Sequence, residues 1–407
     1  MDNDRPPPAR LLDVTRLLRR TGRQPTGVDR VELAYLRELI QPPVPLFGLA
    51  RTRLGYVLLD GTGLDAFRDR VEGRIPWGTP DRLSRVQRRM EPMQRQAESD
   101  LRRLAIARCL PAGLGRMLRR HLPPGFAYLN VGHSNVTDRV LSAVKHLARG
   151  RVAVLLHDAI PLDFPDLQRP QTAPAFRNML RRVRAYADLV ICNSQQTHQD
   201  VTRHMTDWGN PPDCVVAHLG VDPVQPRQPT MPERFQWDEP FFVTVGTIEP
   251  RKNHELLLDI WQELAARPDC PQLVICGARG WLNENLFKRL DRRPPHVFEV
   301  PGLTDQEVAW LLQRSCGLLF PSIAEGYGLP PIEAAALRVP VICNDLRVYR
   351  EVLGDIPVYA GIEDRYLWKN NIWGLMHPEQ ADGQAAMPPR FDPPTWTQHF
   401  NAVLRLT

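Results

Sequence analysis

The sequence predicts an α/β protein of two doubly wound, parallel-sheet domains, both Rossmann-like, facing each other across a cleft. Three observations carry that expectation. The chain is 407 residues long, about twice a typical domain. Short strands apolar on both faces alternate with amphipathic helices, the pattern of a parallel sheet covered on both sides. Between the halves lies "DPVQPRQPTMPERFQWDEP", residues 222–240, whose five prolines mark a linker.

The second half is the more regular. "FFVTVGT" reads as a strand and "NHELLLDIWQELAAR" as a helix with apolar residues at i, i+3 and i+4. "PQLVICG", "HVFEVPG", "CGLLFPS" and "VPVICND" continue the strands, with helices near 283–291, in "DQEVAWLLQRS", in "PPIEAAAL" and in "LRVYREVLG". The first half offers "RLLDVTR", "PLFGLA", "LGYVLLD", "FAYLNVG", "RVAVLLHD", "ADLVICNS" and "CVVAHLG" as strands of the same kind. The domains are therefore expected over 1–222 and 241–392, joined by a linker over 223–240, with a final helix over 393–407 packing back on the first domain. An Arg-rich helical insert near 80–121 interrupts the first domain. It carries eleven arginines between 82 and 120, with Leu83, Val86, Met90, Met93, Leu101 and Leu104 at helical intervals. A solvated basic helix face is the plain reading; a surface for anionic lipid or an anionic acceptor is the sharper one.

Composition narrows the class. Hydrophobic residues make up 43% and charged ones 24%, ordinary for a soluble globular protein. No apolar run is long enough to span a bilayer, and "MDNDRPPPAR" lacks the apolar core of a secretion signal. Seven cysteines with no C-x-x-C suit reduced thiols and the cytoplasm, with a peripheral place at the inner face of the membrane left open by the Arg-rich insert. The formal charge is +6, yet aromatics do not interleave with the basic residues as a single-strand platform needs, so no nucleic acid is expected. The only Asp-x-Asp is "DND" at 2–4, and no His/Cys cluster has zinc spacing, so no metal and no cofactor is expected.

In open parallel sheets ligands sit beyond the carboxyl ends of the strands. After the first strand of the second half, "GTIEPRKNHE" supplies Gly246 for a turn and then Arg251 and Lys252 side by side. A guanidinium fork beside an ammonium suits a diphosphate. The alternative, an exposed Arg-Lys pair in a helix's first turn, sits badly with the helix dipole. After "CGLLFPS" comes "IAEGYGLPPIEAAAL", where Gly326, Tyr327, Gly328 and Leu329 form a loop leading into a helix start, the usual setting of a phosphate cradle. Glu325 before the loop and Glu333 inside the helix can accept from vicinal hydroxyls. In the first domain, His157 and Asp158 follow "VAVLL", Asn193 and Ser194 end another strand, and Gly27 in "PTGVDR" permits a close backbone approach. The rings of Tyr327 and Trp281 read first as packing.

Glu325…Glu333, with "GTIEPRKN" upstream, resembles the retaining glycosyltransferases of family 4, which have the two-Rossmann GT-B fold. "RGWLNE" and "NDLRVYREVLGD" resemble the mannosyltransferase-like branch, and "DVTRLLRRTGRQPTGVDRVE" and "HDAIPLDFP" match more thinly. The resemblance implies that Glu333 holds the nucleotide ribose, that Glu325 contacts the transferred sugar, and that Arg251 and Lys252 neutralise the diphosphate. It places His157 beside the anomeric carbon, and with it comes retention of configuration. Gly27, Asp158, Asn193 and Ser194 then fall on the acceptor side, and the donor loop runs through Gly246 and Gly326 to Leu329. The expected partners are a nucleotide-sugar donor, with GDP-mannose the best guess, and a glycan or polyprenyl-diphosphate-linked acceptor in bacterial surface polysaccharide assembly. Another GT-B enzyme such as a nucleotide-sugar epimerase, or a non-catalytic protein binding nucleic acid or anionic surfaces, are the rival readings.

Overall fold

A computed structural model describes residues 6–85, 90–222, 224–377 and 389–407. Val86 of the basic insert, the "DND" at 2–4, Pro223 of the linker and 378–388 of the second domain lie outside the described residues.

Among the described residues the first sheet has eight strands: β1 (Arg10–Asp13), β2 (Leu46–Thr52), β3 (Gly55–Leu59), β4 (Ala107–Cys109), β5 (Ala127–Asn130), β6 (Arg151–Leu156), β7 (Leu189–Cys192) and β8 (Asp213–Val216). Their spatial order is β4-β3-β2-β1-β5-β6-β7-β8. From β2 through β8 the pairing is parallel. At the other edge β3 runs antiparallel to β2, and β4 to β3. This departs from an all-parallel first half. Only Arg53 and Leu54 separate β2 from β3, and a connection that short permits only an antiparallel hairpin.

The basic insert is woven into this edge. Its helix Pro92–Leu104 buries Ala97 and Leu101, and β4 is its sheet contribution. Arg102 is itself buried, with Nε 2.7 Å from Asp81 and Nη1 3.3 Å from Glu98. A uniformly solvated basic face is thus corrected. A buried cation needs carboxylate partners, and Asp81 and Glu98 supply them here. Arg108, Arg116, Arg119 and Arg120 are exposed.

The second sheet contains β9 (Phe241–Val245), β10 (Gln272–Cys276), β11 (Val297–Glu299), β12 (Gly317–Phe320), β13 (Val341–Cys343) and β14 (Val358–Tyr359), in the order β11-β10-β9-β12-β13-β14. All its pairings are parallel. The direction of winding reverses between β9 and β12, and that reversal opens a crevice at their carboxyl ends. Trp261, Phe242 and Trp368 fill one side of the sheet. The last helix, Trp396–Val403, lies against the first domain: Tyr35 and His399 share a 2.8 Å hydrogen bond, and Arg10 donates to the Thr407 carbonyl at 3.0 Å.

Among the described residues no helix is long and apolar enough to cross a membrane. All seven cysteines are free thiols.

Candidate active site at the interdomain crevice

At the carboxyl end of β9 the chain passes Gly246 and enters a 3-10 turn, Pro250–Lys252. Arg251 and Lys252 both turn onto Glu325, which follows β12. Arg251 Nη1 lies 2.7 Å from Glu325 Oε2, and Lys252 Nζ lies 2.6 Å from Oε1. The Arg251 Nη2 takes Glu249 at 2.7 Å, and its Nη1 also reaches the Ala324 carbonyl at 3.0 Å. Lys252 stands 4.4 Å over the Phe320 ring. The two cations are thus matched by two carboxylates, Glu249 and Glu325.

Burial sets the electrostatics of this cluster. It works against charge on Glu325, but Arg251 and Lys252 outweigh it and hold the carboxyl down at about 2. Burial lowers the Lys252 ammonium, with Glu325 opposing. For Arg251 burial also pulls downward, and Glu325, Glu249 and Asp158 reverse it, so the guanidinium ends above its ordinary value.

The helix that follows, Leu329–Ala336, starts at Gly328 with φ +87, a left-handed conformation open to glycine. Pro330 and Pro331 fit its first turn, where N–H groups have no partner in the helix. They also remove two donors from the helix tip, so an anion there meets the N–H groups of Gly328 and Leu329 only. Glu333 sits one turn in, and its carboxylate is held across the crevice by Arg30 of the first domain.

The Glu325–Gly328 loop is one of the places where the domains touch. A Cβ on Gly326 would lie 2.0 Å from the His157 carbonyl oxygen and 2.8 Å from Asp158 Cβ, so only glycine fits. The Gly326 carbonyl accepts from Ser194 Oγ at 2.9 Å and Thr197 Oγ1 at 3.2 Å. Ser194 also caps the helix Gln195–Thr206. Asn193 Nδ2 donates to the His157 carbonyl at 2.9 Å. The Ser194 side chain is therefore spent on joining the domains, while Asn193 braces the His157 turn within the first domain. The Tyr327 ring is buried and its hydroxyl donates to the Leu219 carbonyl of the first domain at 2.7 Å. Gly27 opens the helix Gly27–Leu39 opposite Leu329; a Cβ there would come within 3.5 Å of Leu329 Cδ1.

His157 is buried, with Nε2 2.7 Å from the Val131 carbonyl. A carbonyl only accepts, so Nε2 carries the proton and Nδ1 is the bare nitrogen. Burial, and then the neighbouring His133, push its pKa down to about 3, which keeps the ring neutral near pH 7. Asp158 moves the opposite way: burial raises it to about 6 against the pull of Arg251. Among the described residues no group of three His, Cys, Asp or Glu side chains is placed to hold a metal ion.

Residues 229–357 match the family model described as "Glycosyl transferases group 1". That match takes in Arg251, Lys252, Glu325 and Glu333. A serotype-specific mannosyltransferase WbdA of Escherichia coli is 32% identical over 215 residues, 49% of this chain and 26% of its own length. The O-antigen chain mannosyltransferase B of Escherichia coli is 34% identical over 124 residues, 30% of this chain and 32% of that protein. The chain thus spans about a quarter to a third of the curated relatives it matches. Among solved structures, Anabaena HepE in complex with UDP-glucose superposes with a TM-score of 0.62 at 15% identity, covering 97% of this chain and 96% of that one. The fold is GT-B.

The structure adds Glu249, Arg30 and Thr197 to the residues expected from the sequence. Glu249 stands two residues before Arg251 within the quoted "GTIEPRKN", and a carboxylate so near a buried cation was the available signal. Arg30, in a helix's first turn, is misplaced with respect to the dipole in the same way as the Arg251–Lys252 pair. For Thr197 the sequence holds no signal, because its partner, Gly326, is 129 residues away.

Proposed function

We propose that this protein is a retaining, metal-independent glycosyltransferase that moves a hexosyl group from a nucleoside-diphosphate sugar to a glycan or polyprenyl-diphosphate-linked acceptor. GDP-mannose is the donor of this reading, and bacterial surface polysaccharide assembly its setting. The supporting observation is the meeting of Arg251, Lys252 and Glu325 at the β9/β12 crevice, one loop ahead of Glu333, within the segment that matches group 1 glycosyl transferases. The mannosyltransferase names of the curated relatives support the choice of sugar.

The chemistry follows from where charge develops. Breaking the bond between sugar and diphosphate leaves negative charge on the departing phosphate and positive charge at the anomeric carbon. Arg251, Lys252 and the Gly328 and Leu329 N–H groups are fixed donors for that negative charge, an electrostatic form of catalysis. Both cations are already paired, so the diphosphate takes over the place of the Glu325 carboxylate. Glu325, released, accepts from hydroxyls of the transferred sugar, and Glu333 accepts from the ribose. His157 lies on the first-domain side of the same loop, neutral, with no proton to exchange at Nε2 while Val131 holds it. The acceptor enters from the first domain, whose exposed arginines at 108, 116, 119 and 120 form the surface for anionic lipid.

A thermal-shift screen with GDP, UDP, ADP and dTDP tests the donor site. A ligand at a hundredfold excess over its dissociation constant stabilises the folded state by about 2.7 kcal/mol, so GDP is expected to raise the melting temperature most. A protein unmoved by all four nucleotides would end this reading.

A further inference from the structure

Glu333, the residue read above as the ribose acceptor, is already engaged. Arg30 Nη2 donates to its Oε1, and Arg30 Nε lies 3.6 Å from Asp305 Oδ2 on a second helix of the other domain. Both partners are largely buried: 27% of the Arg30 side chain is exposed and 21% of that of Glu333. Burial works against the guanidinium's charge, and Glu333 and Asp305 more than restore it. The pair spans the crevice, since Arg30 belongs to the helix Gly27–Leu39 and Glu333 to the helix Leu329–Ala336. Beside it Gln24 Nε2 donates to the Leu303 carbonyl, a second bond between the same two faces. Arg30 and Leu329 also line a cavity of about 770 Å3 that continues between the first-domain helices and the linker.

We propose that Arg30 is a positioning residue that sets donor affinity: it competes with the ribose for Glu333, so nucleotide entry requires the Arg30–Glu333 pair to open. The argument rests on the ribose assignment of Glu333. A ribose diol engages a carboxylate through both oxygens, and the guanidinium on Oε1 leaves only Oε2 open to it, so the binding-competent fraction of the protein is reduced accordingly. Apparent affinity falls by that fraction. On opening, Arg30 retains Asp305 as a partner, so its charge is not stranded.

Arg30→Gln is the test, read by titration calorimetry with GDP and with UDP and by hydrogen exchange on the nucleotide-free protein. If one protein molecule in ten is open, removing the competitor tightens nucleotide binding about tenfold. Hydrogen exchange should speed up in residues 27–33 and 329–336 of the variant without nucleotide. In a Glu333→Gln background, Arg30→Gln should change neither reading. Unchanged or weaker nucleotide binding in Arg30→Gln, or unchanged exchange, overturns the proposal. The ribose assignment fails separately, when Glu333→Gln added to Arg30→Gln leaves nucleotide affinity at the Arg30→Gln value.

Discussion

Replacing Glu325 by glutamine should destabilise the protein and, at the same time, strengthen its grip on a nucleoside diphosphate. Glu325 is the anion between two buried cations, 2.7 Å from Arg251 and 2.6 Å from Lys252. Its fall from an ordinary 4.5 to about 2 corresponds to about 3 kcal/mol of folding stability near neutral pH. For a depressed carboxyl that stability is present above pH 4.5 and is lost as the pH falls toward 2. Urea unfolding of Glu325→Gln at pH 7.5 should therefore show a loss on the order of 3 kcal/mol, and the gap to the wild type should narrow below pH 4.5. Glutamine leaves Lys252 without its carboxylate and Arg251 with Glu249 alone, so a diphosphate arriving there no longer has to displace an anion. GDP or UDP should then bind more tightly than to the wild type, while sugar transfer falls because Glu325 is missing from the sugar. A variant as stable as the wild type, or one that binds both diphosphates more weakly, would refute the idea that ligand and carboxylate exchange places.

Other consequences are open to simpler assays. In an Arg30→Gln background, where no guanidinium competes, Glu333→Ala removes a charged acceptor, and a loss of about 2 kcal/mol in nucleotide affinity is expected by calorimetry; equal affinity would dismiss the ribose contact. Asp158, raised to about 6, gives stability that is present below pH 3.8 and disappears as the pH rises through 6, so Asp158→Asn should gain on the wild type above pH 6 and match it at pH 4 in denaturant titrations. Gly326→Ala forces a methyl group onto the His157 carbonyl and should cost about 1–3 kcal/mol together with most of the activity; an active, equally stable variant would remove the close approach from the account. Transfer activity should survive exhaustive treatment with EDTA, and loss restored by a divalent cation would contradict metal independence.

The second sheet was legible because, among its described strands, all but β14 are apolar runs largely buried on both faces, and glycine or proline follows β9, β10, β11 and β12. Val358–Tyr359 was missed: it has only two residues and lies at the edge, where no burial pattern builds up. Ala107–Cys109 was hidden inside the basic insert for a similar reason, since Ala107 and Cys109 are only partly buried, Arg108 is exposed, and its pairing is supplied by β3. The cluster of Arg251, Lys252 and Glu325 could be anticipated from strand ends and helix-dipole reasoning. What joins it to the first domain could not. Ser194 to Gly326, Tyr327 to Leu219 and Arg30 to Glu333 are pairings between residues more than a hundred positions apart, and helix or strand periodicity carries no information on such partners.

A crystal structure with the nucleotide that raises the melting temperature most is the decisive measurement. The account predicts the diphosphate within hydrogen-bonding distance of Arg251, Lys252 and the Leu329 N–H, with the ribose hydroxyls on Glu333 and Arg30 withdrawn from it. Density for the nucleotide away from the carboxyl ends of β9 and β12, with the Arg251–Glu325 pair intact, would contradict it.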